Sequence, residues 1–198
     1  MNNSPVPKWT ARAILPLHVL SSVSHLLANP GLPSQTPVLS SAAWHIAGLE
    51  HGWLIAVTNY LPIGLLLLGF WGSAWKSGRT AVPTYAYALF TASALLYASL
   101  AVAPYEATNE GLAYNAARSS LSLLLGAVGL LPLAGKMGGK TAFRYFTQAL
   151  ALYLVAENVL SLWVLDNLGY ISSVSWLLYF AWYFVMSFNL SKLLPKQA

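Results

Sequence analysis

Long apolar stretches recur along this chain, and short segments rich in proline, glycine or charged residues separate them. A stretch of about 20 apolar residues matches the thickness of the hydrocarbon core of a bilayer. Only 8% of the 198 residues are charged, whereas soluble domains carry about 25%. So few charges cannot cover a surface that faces water. The sequence therefore predicts an integral membrane protein.

Six of the apolar stretches have the composition expected of membrane-spanning helices. We predict an all-α, polytopic membrane protein that forms one domain over residues 1–198. Its six transmembrane helices would pack in a compact bundle, at about residues 13–28, 53–72, 82–103, 116–133, 146–165 and 174–193. Pro62 is expected to kink the second helix. In the fourth, a face of small residues, Ser122, Gly126 and Gly129, is expected to allow close packing of helices.

The charged residues predict how these helices are oriented. With six spans, every Lys and Arg except Arg118 falls on one side of the membrane. Because Lys and Arg are enriched in cytoplasmic loops, both termini are predicted to be cytoplasmic. The acidic residues map to the opposite half. An endoplasmic reticulum membrane and a bacterial inner membrane both fit this multi-pass pattern.

A carboxylate lies inside the fifth apolar stretch, at Glu157, with Asn158 beside it. A charged group is costly in hydrocarbon, so an intramembrane carboxylate is a candidate functional residue. Tyr153 and Ser161 lie four residues before and after Glu157 and share its helix face. A Glu removed from water can serve as a general acid or base near neutral pH. We predict that Glu157 is catalytic and that Tyr153, Asn158 and Ser161 bind the substrate.

Three further residues are predicted to belong to the catalytic group. Arg118 would be the electrostatic partner of Glu157; the alternative is an ion pair that only holds the fourth and fifth helices together. Glu50 and His51 would supply a second titrating group at the mouth of the cavity. The alternative for these two is an interfacial position, where they bind water and lipid headgroups.

The first apolar stretch carries a polar face. Its members are spaced at i, i+3, i+4 and i+7, which places them on one side of a helix, and they are His18, Ser21, Ser22 and His25. That face should point into protein and not into lipid. We predict that His25 contributes to substrate binding.

The sequence offers little sign of a metal or cofactor. Cysteine is absent, which excludes disulfides, thiolate metal sites and cysteine nucleophiles. His45, Glu50 and His51 lack the i, i+3 or i+4 spacing that brings side chains together on one helix. No phosphate-binding loop, HExxH or GxSxG motif occurs. We predict no metal and no cofactor, with haem held between two helices as a minor alternative.

A compact helical bundle with one or two intramembrane carboxylates resembles the architecture of integral-membrane terpene cyclases and sterol isomerases. The resemblance covers no motif, and no residue role is taken from it. The predicted function is a small biosynthetic membrane enzyme that isomerises or cyclises a lipophilic substrate, such as an isoprenoid or a polyketide, by acid–base chemistry. The alternatives are a non-catalytic partner subunit, a lipid-binding module or a small transporter. Expected partners are membrane lipid and a lipophilic small molecule, but not nucleic acid; a homo-oligomer is left open.

Overall fold

A computed structural model describes residues 8–28, 56–76, 82–102, 109–137, 141–161 and 169–193. Its helices are α1 (Lys8–Ala28), α2 (Leu61–Lys76), α3 (Thr84–Ser99), α4 (Asn109–Lys136), α5 (Thr141–Ser161) and α6 (Gly169–Leu193), and a π-helical turn, Ala56–Tyr60, precedes α2. No strand occurs in the described ranges. The all-α prediction is therefore confirmed for this part of the chain.

A helix lies at each of the six predicted positions, although the ends differ. α1 begins at Lys8 and α4 at Asn109, each several residues before the predicted start. The apolar pattern marks only the part of a helix that could lie in hydrocarbon, whereas the backbone hydrogen bonds continue into polar sequence. The prediction therefore placed the helices correctly and made some of them too short.

Within the described residues, two helical segments are long and apolar enough to cross a membrane, Ala56–Lys76 and Ala117–Lys136. The other helices do not reach the length or the hydropathy that a membrane span needs, for different reasons. α3 has 16 residues, which gives a helix of about 24 Å. α5 carries Arg144, Gln148, Glu157 and Asn158, which lower its hydropathy. The predicted six-span bundle is therefore not confirmed; two of its helices have the length and composition of a membrane span.

The start of α2 is irregular where the sequence places Pro62. Proline lacks a backbone N–H, and its ring clashes with the carbonyl group four residues earlier. The wider π-helical turn, Ala56–Tyr60, comes directly before this part of the chain. Asn59 and Tyr60 in this turn are both buried. A π-helical turn thus precedes Pro62 and places an amide inside the bundle, while the kink at Pro62 stays a prediction.

α6 is the helix around which the others pack. It is rich in aromatic residues, and several of its largest side chains are fully buried. Ring contacts and hydrogen bonds join it to each of the other five helices: His18–Phe180 for α1, Trp71–Tyr183 for α2, Tyr97–Trp176 for α3, Ser119–Trp176 for α4 and Thr147–Trp182 for α5. The aromatic side chains of α6 therefore form the centre of the core.

The small residues of α4 allow it to approach its neighbours closely. Ser122 donates a hydrogen bond of 2.7 Å to the carbonyl oxygen of Ser93 on α3. A Cβ atom at Gly126 would collide with the Tyr179 hydroxyl of α6, and one at Gly129 would press on an aromatic ring of α3. The predicted close packing at Ser122, Gly126 and Gly129 is confirmed.

Candidate functional site

The Glu157 carboxyl lies where α5 packs against α6, and only 6% of the residue is exposed. Asn158 Nδ2 donates to Glu157 Oε2 over 3.1 Å and to the Leu154 carbonyl oxygen over 2.7 Å. The Ser175 hydroxyl of α6 lies close to this carboxyl. The Asn158 amide and the Ser175 hydroxyl are both neutral groups. We name Tyr153, Glu157, Asn158 and Ser175 the Glu157 cluster.

Ser175 connects the buried carboxyl to the surface of the bundle. Its Oγ donates to Tyr153 Oη over 3.3 Å. Ser175 is fully buried, whereas 39% of Tyr153 is exposed. A serine hydroxyl has one proton and rotates to suit its acceptors. The hydroxyl proton points to Tyr153 in this structure. Rotation of the hydroxyl towards Glu157 would complete a hydrogen-bonded path from the surface to the carboxyl.

Part of this arrangement was predictable. Tyr153 and Asn158 lie beside Glu157, as the helical spacing predicts. Ser175 was missed, because α6 was interpreted through its aromatic residues alone. The available signal was its spacing: Ser175 lies four residues before Tyr179 and seven before Trp182, on the face that α6 buries.

Arg118 has contacts that differ from the predicted one. Its Nη1 atom donates to the carbonyl oxygen of Ser99 over 3.4 Å, at the C-terminal end of α3. Its guanidinium carbon lies 4.7 Å from the centroid of the Tyr114 ring. A cation at a helix C-terminus complements the partial negative charge there. These contacts are compatible with a structural role, and the pairing of Arg118 with Glu157 stays a prediction.

Four of the predicted site residues cannot be placed with their side chains. Glu50 and His51 lie outside the described residues. His25 and Ser161 belong to α1 and α5, but their side chains lie outside the described part of the structure. Their predicted roles stay predictions.

A second buried polar cluster surrounds Asn59 in the π-helical turn. Asn59 Nδ2 donates to Ser21 Oγ over 2.7 Å and lies 3.0 Å from His18 Nδ1. Tyr97 Oη donates to Asn59 Oδ1 over 2.6 Å. We name His18, Ser21, Asn59 and Tyr97 the Asn59 cluster. It confirms that the polar face of α1 points into protein at His18 and Ser21.

The Asn59 amide uses its full set of donors in this cluster. Because its oxygen accepts from Tyr97, its two N–H groups are free for Ser21 and His18. An Nδ1 that accepts from this amide requires the imidazole proton on Nε2; His18 Nδ1 also lies 3.4 Å from Asn59 Oδ1. One amide thus ties together α1, the π-helical turn and α3.

The aromatic rings between the two clusters pack against each other. Tyr97 lies 4.6 Å from Trp176 and 5.6 Å from Phe180, measured between ring centroids. Trp176 also donates a hydrogen bond of 3.2 Å to Ser119 Oγ. Trp176 follows Ser175 in the chain, so the two polar clusters border the same part of α6. The rings between them form packed core.

In the part of the chain that the structure describes, no three His, Asp or Glu side chains gather in a group that could hold a metal ion. Comparison of the sequence with models of protein families and with curated proteins, and of the fold with solved structures, found no match. Fold and function are separable in any case. The function is therefore argued from the chemistry of the Glu157 cluster.

Proposed function

We propose that this chain is a small integral membrane enzyme that isomerises or cyclises a lipophilic substrate, with Glu157 as the acid–base group. The observation that supports this proposal is the burial of the Glu157 carboxyl beside a neutral amide, Asn158, and a neutral hydroxyl, Ser175. Burying an uncompensated charge is costly, which favours the protonated carboxylic acid. A neutral acid in an apolar setting is suited to deliver a proton to an apolar molecule.

The proposed reaction conserves the composition of the substrate. The carboxylic acid gives its proton to a carbon–carbon double bond, and a carbocation forms. The cation then loses a proton from a neighbouring carbon, or first closes a ring, and the carboxylate recovers a proton. The substrate and product have the same mass, and no external oxidant or reductant is needed. Asn158 and Ser175 would orient the carboxyl during these transfers.

We also propose that all six helices span the membrane, with both termini in the cytoplasm. Large apolar side chains are exposed along the helices, including Leu65, Leu95, Leu152 and Leu160. Soluble monomers rarely expose extended apolar patches, and lipid would cover these side chains favourably. Helix ends carry the basic residues Lys8, Lys76 and Lys136, which fits the preference of Lys for cytoplasmic interfaces.

The absence of cysteine from the sequence makes this topology simple to test. Single cysteines replace Lys76, Lys136 and, on the opposite side, Glu106. A membrane-impermeant maleimide applied to sealed cells should label Glu106→Cys directly. It should label Lys76→Cys and Lys136→Cys only after the membrane is opened. Labelling of all three from outside would contradict the six-span topology.

The test of the enzymatic role is lipid-extract profiling of source cells that express wild type or Glu157→Gln at matched levels. We expect Glu157→Gln to accumulate one lipophilic compound and to lose an isomer of the same mass. Ser122→Ala is the matched control, because Ser122 is fully buried and hydrogen-bonded but lies outside the Glu157 cluster. An unchanged profile with folded Glu157→Gln would exclude Glu157 as the acid–base group.

The second candidate is a non-catalytic partner subunit in which Glu157 only locks helices together. The hydrogen bond from Ser175 to Tyr153 favours it, because this bond joins α6 to α5 beside Glu157. If the predicted ion pair with Arg118 carries this role, Glu157→Gln should lower stability. The double variant Glu157→Gln/Arg118→Met should then recover part of the loss. A catalytic Glu157 predicts instead that Glu157→Gln stays folded while product formation ends.

A further inference from the structure

A groove opens on the outside of the bundle between α2 and α3, away from the Glu157 cluster. Its volume is about 580 Å³, within the range of roughly 300–1,000 Å³ that is common for ligand sites. On α3 its lining runs from Thr84 to Leu95, which corresponds to about 16 Å along the helix. The groove is therefore long and narrow.

The packing of the two helices explains why the groove exists. Near their other end α2 and α3 touch, because a Cβ atom at Gly64 would lie 2.5 Å from Ala98 Cβ. In the groove itself a Cβ atom at Gly72 would meet nothing within 4 Å. Ala88 and Ala92 on α3 also contribute only small side chains to the lining. The groove thus forms where α2 and α3 carry small side chains on their facing surfaces.

The lining combines an apolar wall with a charged end. Trp71, Trp75 and Tyr87 provide aromatic surface along the groove, and Tyr87 and Trp75 rings lie 5.1 Å apart between centroids. Lys76, the last residue of α2, is exposed and belongs to the same lining. An occupant therefore needs an apolar chain and, at one end, an anionic group.

We infer that this groove binds a membrane lipid with an anionic headgroup, its acyl chain along α3 and its phosphate beside Lys76. The positive charge of Lys76 complements the phosphate, and the small residues leave room for the chain. The inference rests on the proposed membrane location of the helices, but not on acid–base chemistry at Glu157. Its test in purified protein is independent of any product formed in cells.

The decisive experiment fills the groove with a side chain. The purified full chain in detergent micelles is titrated with dioleoyl phosphatidylglycerol, and bound lipid is counted by native mass spectrometry. Gly72→Leu should weaken binding by about tenfold or more, because the leucine occupies the space of the acyl chain. Gly135→Leu is the matched control: Gly135 is also an exposed helical glycine with open space around its Cβ position, beside Lys136 at the end of α4.

Equal binding by Gly72→Leu and Gly135→Leu would overturn the inference. The melting temperature without added lipid verifies that Gly72→Leu is folded. Ala88→Leu fills the same groove from α3 and should give the same loss, so the test does not depend on one variant.

A second pair of variants, Lys76→Gln and Lys136→Gln, tests the charged end of the groove. Lys76→Gln should weaken phosphatidylglycerol binding by about fivefold, since one Lys near an anionic lipid contributes about 1 kcal/mol. It should leave the binding of dioleoyl phosphatidylcholine unchanged. Lys136→Gln, at the end of α4, is the control and should alter neither. Equal affinity of wild type for the two lipids would overturn the assignment of an anionic headgroup.

Discussion

The two buried polar clusters of this bundle border the same stretch of α6, yet they differ in chemistry. In the Asn59 cluster, a neutral amide engages both its N–H groups and its oxygen with neighbouring side chains. In the Glu157 cluster, the described residues give the carboxyl one hydrogen bond, from Asn158. A carboxyl group has about four lone-pair sites. The donors and the acceptor of the Asn59 amide are therefore all engaged, whereas the described residues leave acceptor sites of the Glu157 carboxyl open to another molecule.

Access differs between the clusters as well. Asn59, Ser21 and Tyr97 are buried, and His18, the titratable member of the Asn59 cluster, is half-buried. The Glu157 cluster ends at Tyr153, which is exposed. A fully hydrogen-bonded network rigidifies a core. The comparison therefore favours a structural role for the Asn59 cluster, and the acid–base role of Glu157 stays a proposal.

The largest expected effect on stability comes from removing the Asn59 amide. Asn59→Leu leaves two buried partners, Ser21 and Tyr97, and the half-buried His18 without their hydrogen bonds, at about 1–3 kcal/mol for each buried group. We expect the free energy of unfolding to fall by about 3 kcal/mol or more. Unfolding in mixed micelles with increasing SDS measures this change. Tyr97→Phe removes one of the bonds and should cost about 1 kcal/mol.

An unfolding midpoint of Asn59→Leu equal to that of wild type would end the distinction between the two clusters. It would mean that the Asn59 amide contributes no more to the free energy of unfolding than a group that faces lipid.

The next largest effect on stability is expected at Gly126, where α4 packs against α6 outside the Asn59 cluster. Gly126→Ala forces a methyl group against the Tyr179 hydroxyl, and overpacking of a core costs about 1–3 kcal/mol. Gly135→Ala is the control, because its methyl group enters open space. Alanine in a helix is then favoured over glycine by about 0.5–1 kcal/mol. Destabilisation by both variants to the same extent would show that the packing at Gly126 is not the cause.

The sequence predicts much of this fold because hydrophobic length and spacing act locally. The stretch around Glu157 identifies a helix with a carboxyl inside it, and the small residues Ser122 and Gly126 indicate close packing. Tyr153 and Asn158 follow from helical spacing. Each of these inferences needs only residues of one helix.

The contacts between helices could not be derived in the same way. Asn59 and His18 are 41 positions apart, and Ser175 and Tyr153 are 22 apart. Apolar periodicity gives the buried face of each helix but not its rotation against a distant one. The central position of α6 was missed for the same reason, because its aromatic residues are compatible with both lipid contact and core packing.

Glu157→Gln should change stability much less than Asn59→Leu. Glutamine keeps an oxygen for Asn158 and Ser175, so we expect a loss of less than about 1 kcal/mol in the free energy of unfolding. Glu157→Leu removes the acceptor and should cost about 1–3 kcal/mol. The same SDS titration measures both variants. A loss for Glu157→Gln as large as that for Asn59→Leu would place Glu157 among the structural groups.

We expect the smallest effect on stability from Tyr153→Phe. This variant tests whether the exposed end of the Glu157 cluster contributes to the proposed chemistry. Tyr153 is exposed and accepts one hydrogen bond from Ser175. Its removal should change the free energy of unfolding by no more than about 0.5 kcal/mol. If the hydroxyl is part of the proton path, the same variant should slow the formation of the isomer that Glu157→Gln abolishes. The matched control is Tyr145→Phe, which removes a hydroxyl from another exposed tyrosine of α5. Equal product formation by the two variants would confine the acid–base chemistry to Glu157, Asn158 and Ser175.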